Sequence, residues 1–289
     1  MKQVELPEGV FIKRGKGAGK TVAIFGGVHG NEKVGIRMID ILRKNLKIDA
    51  GTVYLVYGNP EAIKQNKRFV KKNLNRCFGK GNQGKTIEDK RARELTRVLD
   101  KCDALLDLHS FTNPNGAPFI ICEKDEFEII KNFNLERITY GWENLSGALS
   151  GSTVVYMKKQ KKLAIGIECG SHGKIKIGLK NATDAVDNFL TFFKLLKSGA
   201  NFNAGLQNNT KRYIKIKKAI IRKNKDFKFS REYKNFDKLK EGEIFAIEDN
   251  KKLIARKSEC IILPTPNEPI GGEICILGKE IKGFNDNCR

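Results

Sequence analysis

Residues 21–35 read TVAIFGGVHGNEKVG, and this stretch decides the fold and the chemistry that we predict for the chain. The apolar run from Thr21 to Phe25 predicts a buried strand, and the Gly-Gly pair after it predicts a tight turn into a helix. His29 and Glu32 stand three residues apart where that helix begins. Open α/β sheets bind ligands at the carboxyl ends of their strands, and imidazole and carboxylate both suit Zn²⁺. The pair is therefore a candidate metal site, although the spacing alone also fits a solvated helix.

The composition places broad limits on the class of protein. The chain has 289 residues, of which 40% are hydrophobic and 30% charged, and this predicts a soluble globular protein with one large or two smaller domains. No apolar run is long enough to span a membrane, and the amino terminus MKQVELPEGV lacks the apolar core of a signal peptide, so we expect a cytoplasmic protein. The seven cysteines are scattered without a CxxC pair, which favours reduced, mostly buried thiols.

The net charge of +22 raises the question of nucleic-acid binding. The lysines are spread through the chain, and the tightest clusters, at 158–162 and 215–218, carry no RNP-like aromatic signature and no zinc-finger spacing. A solvated surface with a lysine bias is the plainer interpretation, and a positive field that attracts anionic substrates is the second. We therefore expect a small anionic substrate and no nucleic-acid or membrane partner, and a homo-oligomer is left open.

Strand and helix patterns alternate through the first two hundred residues. A helix at 32–46 and a strand at 53–57 complete a βαβ unit, which is expected to cross over right-handedly into a parallel pair. The basic, glycine-containing stretch 61–84 predicts a long loop, of the kind that often carries function. Thr86 is expected to cap a helix that runs through Leu99. The remaining predicted elements of this region are strands at 104–108, 119–122 and 163–167 and helices at 126–133 and 182–196.

The pattern changes near the carboxyl terminus. Residues 199–209 have the small and polar composition of a linker, and from Arg212 onward short alternating strands are separated by turn residues. We therefore expect a catalytic domain at 1–199 and a small β-rich domain at 210–289.

Two of the three histidines follow predicted strands, and this supports the candidate metal site. His109 follows the strand 104–108, so His29, Glu32 and His109 converge as three protein ligands if the two strands are neighbours. Three protein ligands leave a fourth position open, which is the arrangement of a catalytic zinc site. Asp107, two residues before His109, is a candidate acceptor that fixes an imidazole. A structural histidine and an ordinary strand-end carboxylate are the alternatives.

Four blocks of sequence carry a resemblance to a known family. In chain order they are GGVHGNEKVG (26–35), NPEAIKQNKRFVKKNLNRCF (59–78), DALLDLHS (103–110) and IGIECG (165–170). Together they resemble the aspartoacylase and succinylglutamate desuccinylase family, which is related to the zinc carboxypeptidases. The resemblance implies an α/β fold with a mixed, largely parallel sheet flanked by helices, a smaller β-rich C-terminal domain, and one Zn²⁺ per chain.

The resemblance also implies roles for the residues at the strand ends. His29, Glu32 and His109 would hold the zinc, and Glu168 would take a proton from the zinc-bound water. Arg68 stands where the family has the arginine that stabilises the developing oxyanion. These roles agree with the chemistry of the residues, because zinc acidifies water and a guanidinium is a cation that cannot lose its proton.

Other positions would bind the substrate. Asn75 and Arg76 match the family's Asn-Arg pair, which clamps a substrate carboxylate, and a guanidinium fork suits that task. Asn73 replaces the aspartate usual in this block. Lys158, ten residues before Glu168, stands where well-studied aspartoacylases have a second substrate-binding arginine. His172 is a candidate to orient Glu168 or a substrate group, with a structural role as the alternative.

The implied activity is a zinc-dependent deacylase reaction. We expect hydrolysis of the amide bond, or an ester bond, of a small carboxylate-bearing N-acyl amino acid or related compound. A zinc carboxypeptidase that acts on peptides or cell-wall fragments is the alternative with the same chemistry. A nucleic-acid-binding protein on a decayed enzyme scaffold is a further alternative, and the intact set of candidate zinc and acid–base residues counts against it.

Overall fold

The computed structural model describes residues 5–79, 83–145, 151–196 and 210–281. In these ranges the helices are α1 (Lys33–Asn45), α2 (Pro60–Lys64), α3 (Ile87–Leu99), α4 (Phe127–Ile130), α5 (Thr153–Lys159) and α6 (Ile175–Phe192). The strands are β1 (Val10–Arg14), β2 (Gly17–Gly26), β3 (Ala50–Tyr57), β4 (Ala104–Phe111), β5 (Phe119–Ile121), β6 (Arg137–Tyr140), β7 (Leu163–Ser171), β8 (Arg212–Ile221), β9 (Lys228–Phe229), β10 (Asp237–Lys238), β11 (Ile244–Glu248), β12 (Lys251–Ile254), β13 (Glu259–Ile262) and β14 (Glu273–Ile281).

The centre of the fold is one mixed sheet with the strand order β1-β3-β2-β4-β7-β5-β6-β8-β14-β13-β10. Strands β3, β2, β4 and β7 are parallel neighbours, so their carboxyl ends lie at one edge. A separate small sheet has the order β12-β11-β9. The predicted α/β class, with a mixed sheet that is parallel through its catalytic part and a β-rich carboxyl-terminal region, is confirmed.

Helices cover both faces of the parallel strands. On one face α1 and α6 pack against the sheet, with Met38 and Phe189 in the same core cluster as Leu106. On the other face α3 and α5 supply Leu95 and Met157 to a second cluster. Because these strands are buried on both sides, they read as near-continuous apolar runs, which is why the sequence predicts them.

The carboxyl-terminal strands continue the same sheet. Strand β8 pairs in parallel with β6, and β14 then pairs antiparallel with β8. Phe119 and Trp142 share a buried cluster with Ile214 and Ile276 across this junction. The linker predicted at 199–209 lies outside the described residues, and the division into domains at 1–199 and 210–289 stays a prediction.

Several predicted elements differ from the structure in extent. The stretch predicted as a loop contains α2 and a 3₁₀ turn at Leu74–Arg76, and its residues 80–82 lie outside the described ranges. The cap at Thr86 is confirmed, since its side chain accepts from the Asp89 N–H at 3.1 Å. Strands β1 and β6 and helix α5 were not predicted.

The described cysteines and helices agree with the composition. The six cysteines in the described ranges are all buried, and no disulfide links them, whereas Cys288 lies outside those ranges. Among the described helices, none combines the length and the apolarity that crossing a bilayer requires.

Candidate active site

The turn between β2 and α1 delivers the first two candidate ligands. Gly27 has a φ of +69°, a left-handed conformation that favours glycine, and a Cβ on Gly26 would lie 2.3 Å from the backbone oxygen of Gly35. The sharp turn therefore requires both glycines. Glu32 is the residue before α1, but its side chain does not cap the helix. It lies instead between His29 and His109.

Neighbouring strands deliver the other two residues. In the parallel pairing of β4 with β7, His109 stands opposite Glu168. The sequence predicts both residues just after their strands, but each strand extends a few residues beyond its apolar run. His109 and Glu168 therefore lie within β4 and β7. The imidazole rings of His29 and His109 have centroids 5.2 Å apart. Residues from three separate blocks of sequence thus meet at one edge of the sheet.

The predicted ligands His29, Glu32 and His109 form one compact buried group. His29 Nδ1 lies 2.6 Å from Glu32 Oε1, and His109 Nδ1 lies 2.9 Å from Glu32 Oε2. One ligand atom from each residue falls within 4.8 Å of the others, so the three can reach a single ion. This is the one such group among the described residues.

Two further side chains set which nitrogen of each imidazole faces Glu32. Asn73 Oδ1 lies 3.0 Å from His29 Nε2, and it also accepts from the Asn75 N–H, so it is an acceptor and His29 Nε2 donates. Asp107 Oδ2 lies 3.0 Å from His109 Nε2. With each Nε2–H directed to an oxygen, the Nδ1 lone pairs are left for a metal. The expectation that Asp107 contacts an imidazole agrees with this geometry.

The charges of the group fit a divalent cation. Burial and the charge of Arg68 lower the pKa of His29 to about 4, so its Nδ1 lone pair faces a carboxylate oxygen. Burial alone would raise the pKa of Glu32, but His29 and His109 hold it well below its usual range. Burial lowers the pKa of His109, but the carboxylates of Asp107 and Glu32 outweigh it and hold that pKa well above its usual range. A positive charge among His29, Glu32 and His109 is therefore favourable. Two imidazoles and one carboxylate are a donor set that suits Zn²⁺.

Glu168 and Arg68 line a cavity of about 250 Å³ together with His29 and Glu32. Burial raises the pKa of Glu168 to about 8, and its Oε2 has no hydrogen-bond partner among the described residues. Arg68 Nη1 lies 3.4 Å from Glu32 Oε1. A carboxyl group that titrates near neutral pH beside a candidate metal site is suited to acid–base chemistry.

The candidate substrate-binding residues lie in different surroundings. Asn75 Oδ1 accepts from the Thr153 N–H at 3.0 Å, and Arg76 forms a two-bond ion pair with Glu273. Lys158 is not brought to the cavity. Its amine lies 2.6 Å from Asp125 Oδ2 and 2.5 Å from Glu126 Oε1, in a surface depression that shares no lining residue with the cavity.

Sequence reasoning did not identify several residues that line the cavity. Ser110 Oγ lies 2.8 Å from His172 Nδ1, and the Ser110 N–H donates to Glu32 Oε2 at 3.2 Å. Leu263 follows β13 and Glu273 begins β14, and no local signal in the sequence marks either as a site residue. Within the described ranges no tyrosine lines the cavity.

A larger depression lies elsewhere on the molecule. It has a volume of about 560 Å³ and is lined by Arg137, Arg212 and Phe236, among others. It shares no lining residue with the cavity around Glu168, so its size does not make it the candidate active site.

Comparison with known proteins places this geometry in a family. The model of the succinylglutamate desuccinylase/aspartoacylase catalytic domain matches residues 18–192, which is more than half of the chain. The chain belongs to the succinylglutamate desuccinylase/aspartoacylase family. The matched region includes β2, β4 and β7 and therefore the whole His29, Glu32, His109 and Glu168 group.

Individual relatives of the succinylglutamate desuccinylase/aspartoacylase family match parts of the chain. A probable aspartoacylase of Acaryochloris marina is 31% identical over 156 residues, which cover 46% of this chain and 51% of the relative. The N-acyl-aromatic-L-amino acid amidohydrolase (carboxylate-forming) A of Danio rerio is 32% identical over 116 residues, 34% of this chain and 35% of the relative. These matches thus span about half or less of the curated relatives.

A solved structure extends the likeness of fold to nearly the whole chain. The crystal structure of succinylglutamate desuccinylase from Vibrio cholerae has a TM-score of 0.77 and 19% identity to this chain. The match covers 94% of this chain and 85% of that one. At this identity the likeness shows the fold alone, and it includes the carboxyl-terminal strands that the family model does not cover.

Proposed function

We propose that this protein is a zinc-dependent hydrolase that removes the acyl group from a small N-acyl amino acid or related compound. One observation carries the proposal: buried His29, Glu32 and His109 converge, and Glu168 stands beside His109 on the next strand. The family supports deacylation, since its described relatives include aspartoacylases and an N-acyl amino acid amidohydrolase.

His29, Glu32 and His109 would hold one Zn²⁺, which supplies a Lewis acid that polarises a carbonyl and acidifies water. Asn73 and Asp107 keep the two imidazoles oriented toward Glu32. These residues bind and orient, and the transfer of protons falls to another group.

Glu168 is the proposed base and acid. Its carboxylate accepts a proton from the attacking water and later returns it to the leaving amine. A pKa of about 8, raised chiefly by burial, allows the group to exist in both protonation states near neutral pH. Arg68 lines the same cavity, and its fixed positive charge stabilises the negative charge that develops on the carbonyl oxygen.

The shape of the cavity supports a small acyl group. A recess of about 90 Å³ adjoins Glu168 and His109 and is lined by Ile121, Val154 and Val155. Leu263, the residue after β13, and Glu273 of β14 also line the cavity. Apolar walls of this kind, close to polar groups, are typical of sites that bind small molecules. A long peptide has less room here than in an open cleft.

The test is a hydrolysis screen of zinc-loaded protein with varied N-acyl amino acids, acyl esters and short peptides. We expect turnover of at least one acylated amino compound, and preference for peptides would favour a carboxypeptidase instead. Glu168→Gln should keep the bound zinc and lose about a hundredfold or more in kcat, the scale of general acid–base catalysis. Asp187→Asn changes a carboxylate to an amide on α6, outside the cavity, and should keep the activity. Normal turnover by Glu168→Gln would refute the proposed mechanism.

A further inference from the structure

The guanidinium of Arg76 already holds a carboxylate of the same chain. Arg76 Nε and Nη2 donate to Oε1 and Oε2 of Glu273, both at 2.8 Å, and Nη1 donates to the Asn75 backbone oxygen at 2.7 Å. The two side chains are only 16% and 11% exposed. A two-bond pair that is shielded from solvent is considerably stronger than an exposed ion pair. The position that the family resemblance gives to a substrate carboxylate is thus occupied by Glu273.

The sheet, and not a loose loop, positions this carboxylate. Glu273 is the first residue of β14, and its backbone pairs with Ile221 of β8. Cys275 and Ile276, which follow it on the strand, line the same cavity. Glu273 is therefore held against Arg76 by the backbone as well as by its own hydrogen bonds.

The carboxylate of Glu273 disfavours a second carboxylate beside Arg76. Among the described residues, two arginines and four glutamates line the cavity: Arg68, Arg76, Glu32, Glu168, Glu268 and Glu273. Of these, Glu273 is the carboxylate bonded to Arg76, whereas Glu32 lies between the two imidazoles of the candidate metal group. A substrate carboxylate that reached Arg76 would lie next to the carboxylate of Glu273. The electrostatic repulsion between two like charges at such a distance is on the order of 1 kcal/mol or more.

We propose that Glu273 determines substrate specificity. Its carboxylate makes Arg76 bind neutral acceptors, such as a carboxamide, ester or peptide carbonyl, in preference to free carboxylates. A guanidinium has five N–H donors, and contacts with the described residues use three of those on Arg76. The other two can donate to a neutral carbonyl. The inference rests on the proposed deacylase function and narrows its substrate class, because it revises the carboxylate-bearing substrate expected from the sequence.

The test compares an N-acetyl amino acid with its carboxamide, which has nearly the same shape but is neutral and carries an NH2 donor in place of one oxygen. The wild-type protein should have the higher kcat/KM for the carboxamide. Glu273→Gln should raise kcat/KM for the carboxylate by about tenfold, through KM, since about 1.4 kcal/mol corresponds to tenfold. Its kcat/KM for the carboxamide should change far less. An unchanged ratio, or a loss of activity on the carboxylate alone, would mean that Glu273 merely positions Arg76 and would overturn the proposal.

A matched control lies on the same strand. Glu280 forms an equivalent two-bond pair with Arg212, at 2.7 and 2.8 Å, outside the cavity. Glu280→Gln carries the same loss of an ion pair in β14 and should leave the substrate ratio unchanged. An equal shift in the ratio would attribute the effect to strand stability and would also overturn the proposal.

Binding measurements separate this inference from the proposed function. Calorimetric titration of the wild-type protein with the two compounds should show that the carboxamide binds at least as tightly as the carboxylate, and tighter binding of the carboxylate would overturn the role of Glu273. This measurement needs no turnover and no variant. Absence of hydrolysis of every acylated compound would refute the deacylase function and leave the binding result to decide on Glu273.

Discussion

Asn73, which stands where the family usually has an aspartate, contacts the candidate metal group directly. Its Oδ1 is fixed by the Asn75 N–H at 2.9 Å and lies 3.0 Å from His29 Nε2. We predict that Asn73→Ala weakens zinc binding by about tenfold or more, because an imidazole without its acceptor loses its orientation. Competition with a chelator measures the affinity. Asn73→Asp keeps an acceptor and should retain the affinity, and an unchanged affinity in Asn73→Ala would contradict the role.

The three histidines of the chain provide their own control for the metal site. His29→Ala removes one of three donors and should abolish stoichiometric zinc after dialysis, as measured by metal analysis. His172→Ala removes a histidine that contacts Ser110 at the same cavity but is not one of the three donors. It should retain the zinc. Native zinc content in His29→Ala would refute the ligand assignment.

The convergence of His29, Glu32, His109 and Glu168 could be predicted because each residue stands next to a clear local signal. His29 and Glu32 follow an apolar strand and a glycine turn, and His109 and Glu168 end apolar runs, so parallel-sheet geometry alone brings them together. The partner of Arg76 had no such signal. Glu273 lies 197 positions further along the chain and meets Arg76 only because β14 returns to the cavity.

At the scale of elements, α6 carries an unfavourable charge. Asp187 is buried, neither of its carboxylate oxygens has a hydrogen-bond partner in the described part of the chain, and burial together with Asp184 raises its pKa from 3.8 to about 7. A carboxyl group with a raised folded-state pKa costs stability above that pKa and nothing below the unfolded value. The cost thus grows as pH rises from about 4 to about 7.

We therefore predict that Asp187→Asn stabilises the protein at pH 8 and not at pH 4. The gain in the free energy of unfolding should be about 1 kcal/mol, less than the full pKa shift implies because solvent screens part of the charge. Urea unfolding at the two pH values measures it. Asp184→Asn is the control, because Asp184 accepts from Asn134 at 2.7 and 2.6 Å and should lose stability when changed. Equal effects of Asp187→Asn at both pH values would contradict the prediction.

The placement of Lys158 shows that a site residue can be predicted only where the secondary structure around it is predicted. Its assignment rested on its distance in sequence from Glu168, which locates a side chain only if the intervening backbone is known. The segment forms α5, and Lys158 in its last turn pairs with Asp125 and Glu126. A helix of seven residues is too short for a clear apolar period, so the sequence did not predict it. Long apolar strands such as β4 gave no such difficulty.

At the scale of the whole molecule, the carboxyl-terminal strands complete both the sheet and the cavity. Strand β8 covers the edge of β6, and Ile214 and Ile276 bury Phe119 and Trp142. Glu273 of β14 and Leu263, the residue after β13, line the candidate active site. Residues 210–281 therefore cover the edge of β6 and contribute to the lining of the cavity.

We predict that a chain ending at residue 209 does not form a stable monomer. It would expose the edge of β6 and the apolar surfaces of Phe119 and Trp142, and exposed strand edges pair with other chains. Size-exclusion chromatography should show association or aggregation, and thermal unfolding should lose its sharp transition. Glu280→Gln, which alters β14 without removing it, should keep the elution volume of the intact protein and a cooperative transition. A fragment that elutes as a monomer and unfolds at the temperature of the intact chain would contradict the prediction. The first 209 residues would then fold independently, and packing between β6 and β8 would contribute little to their stability.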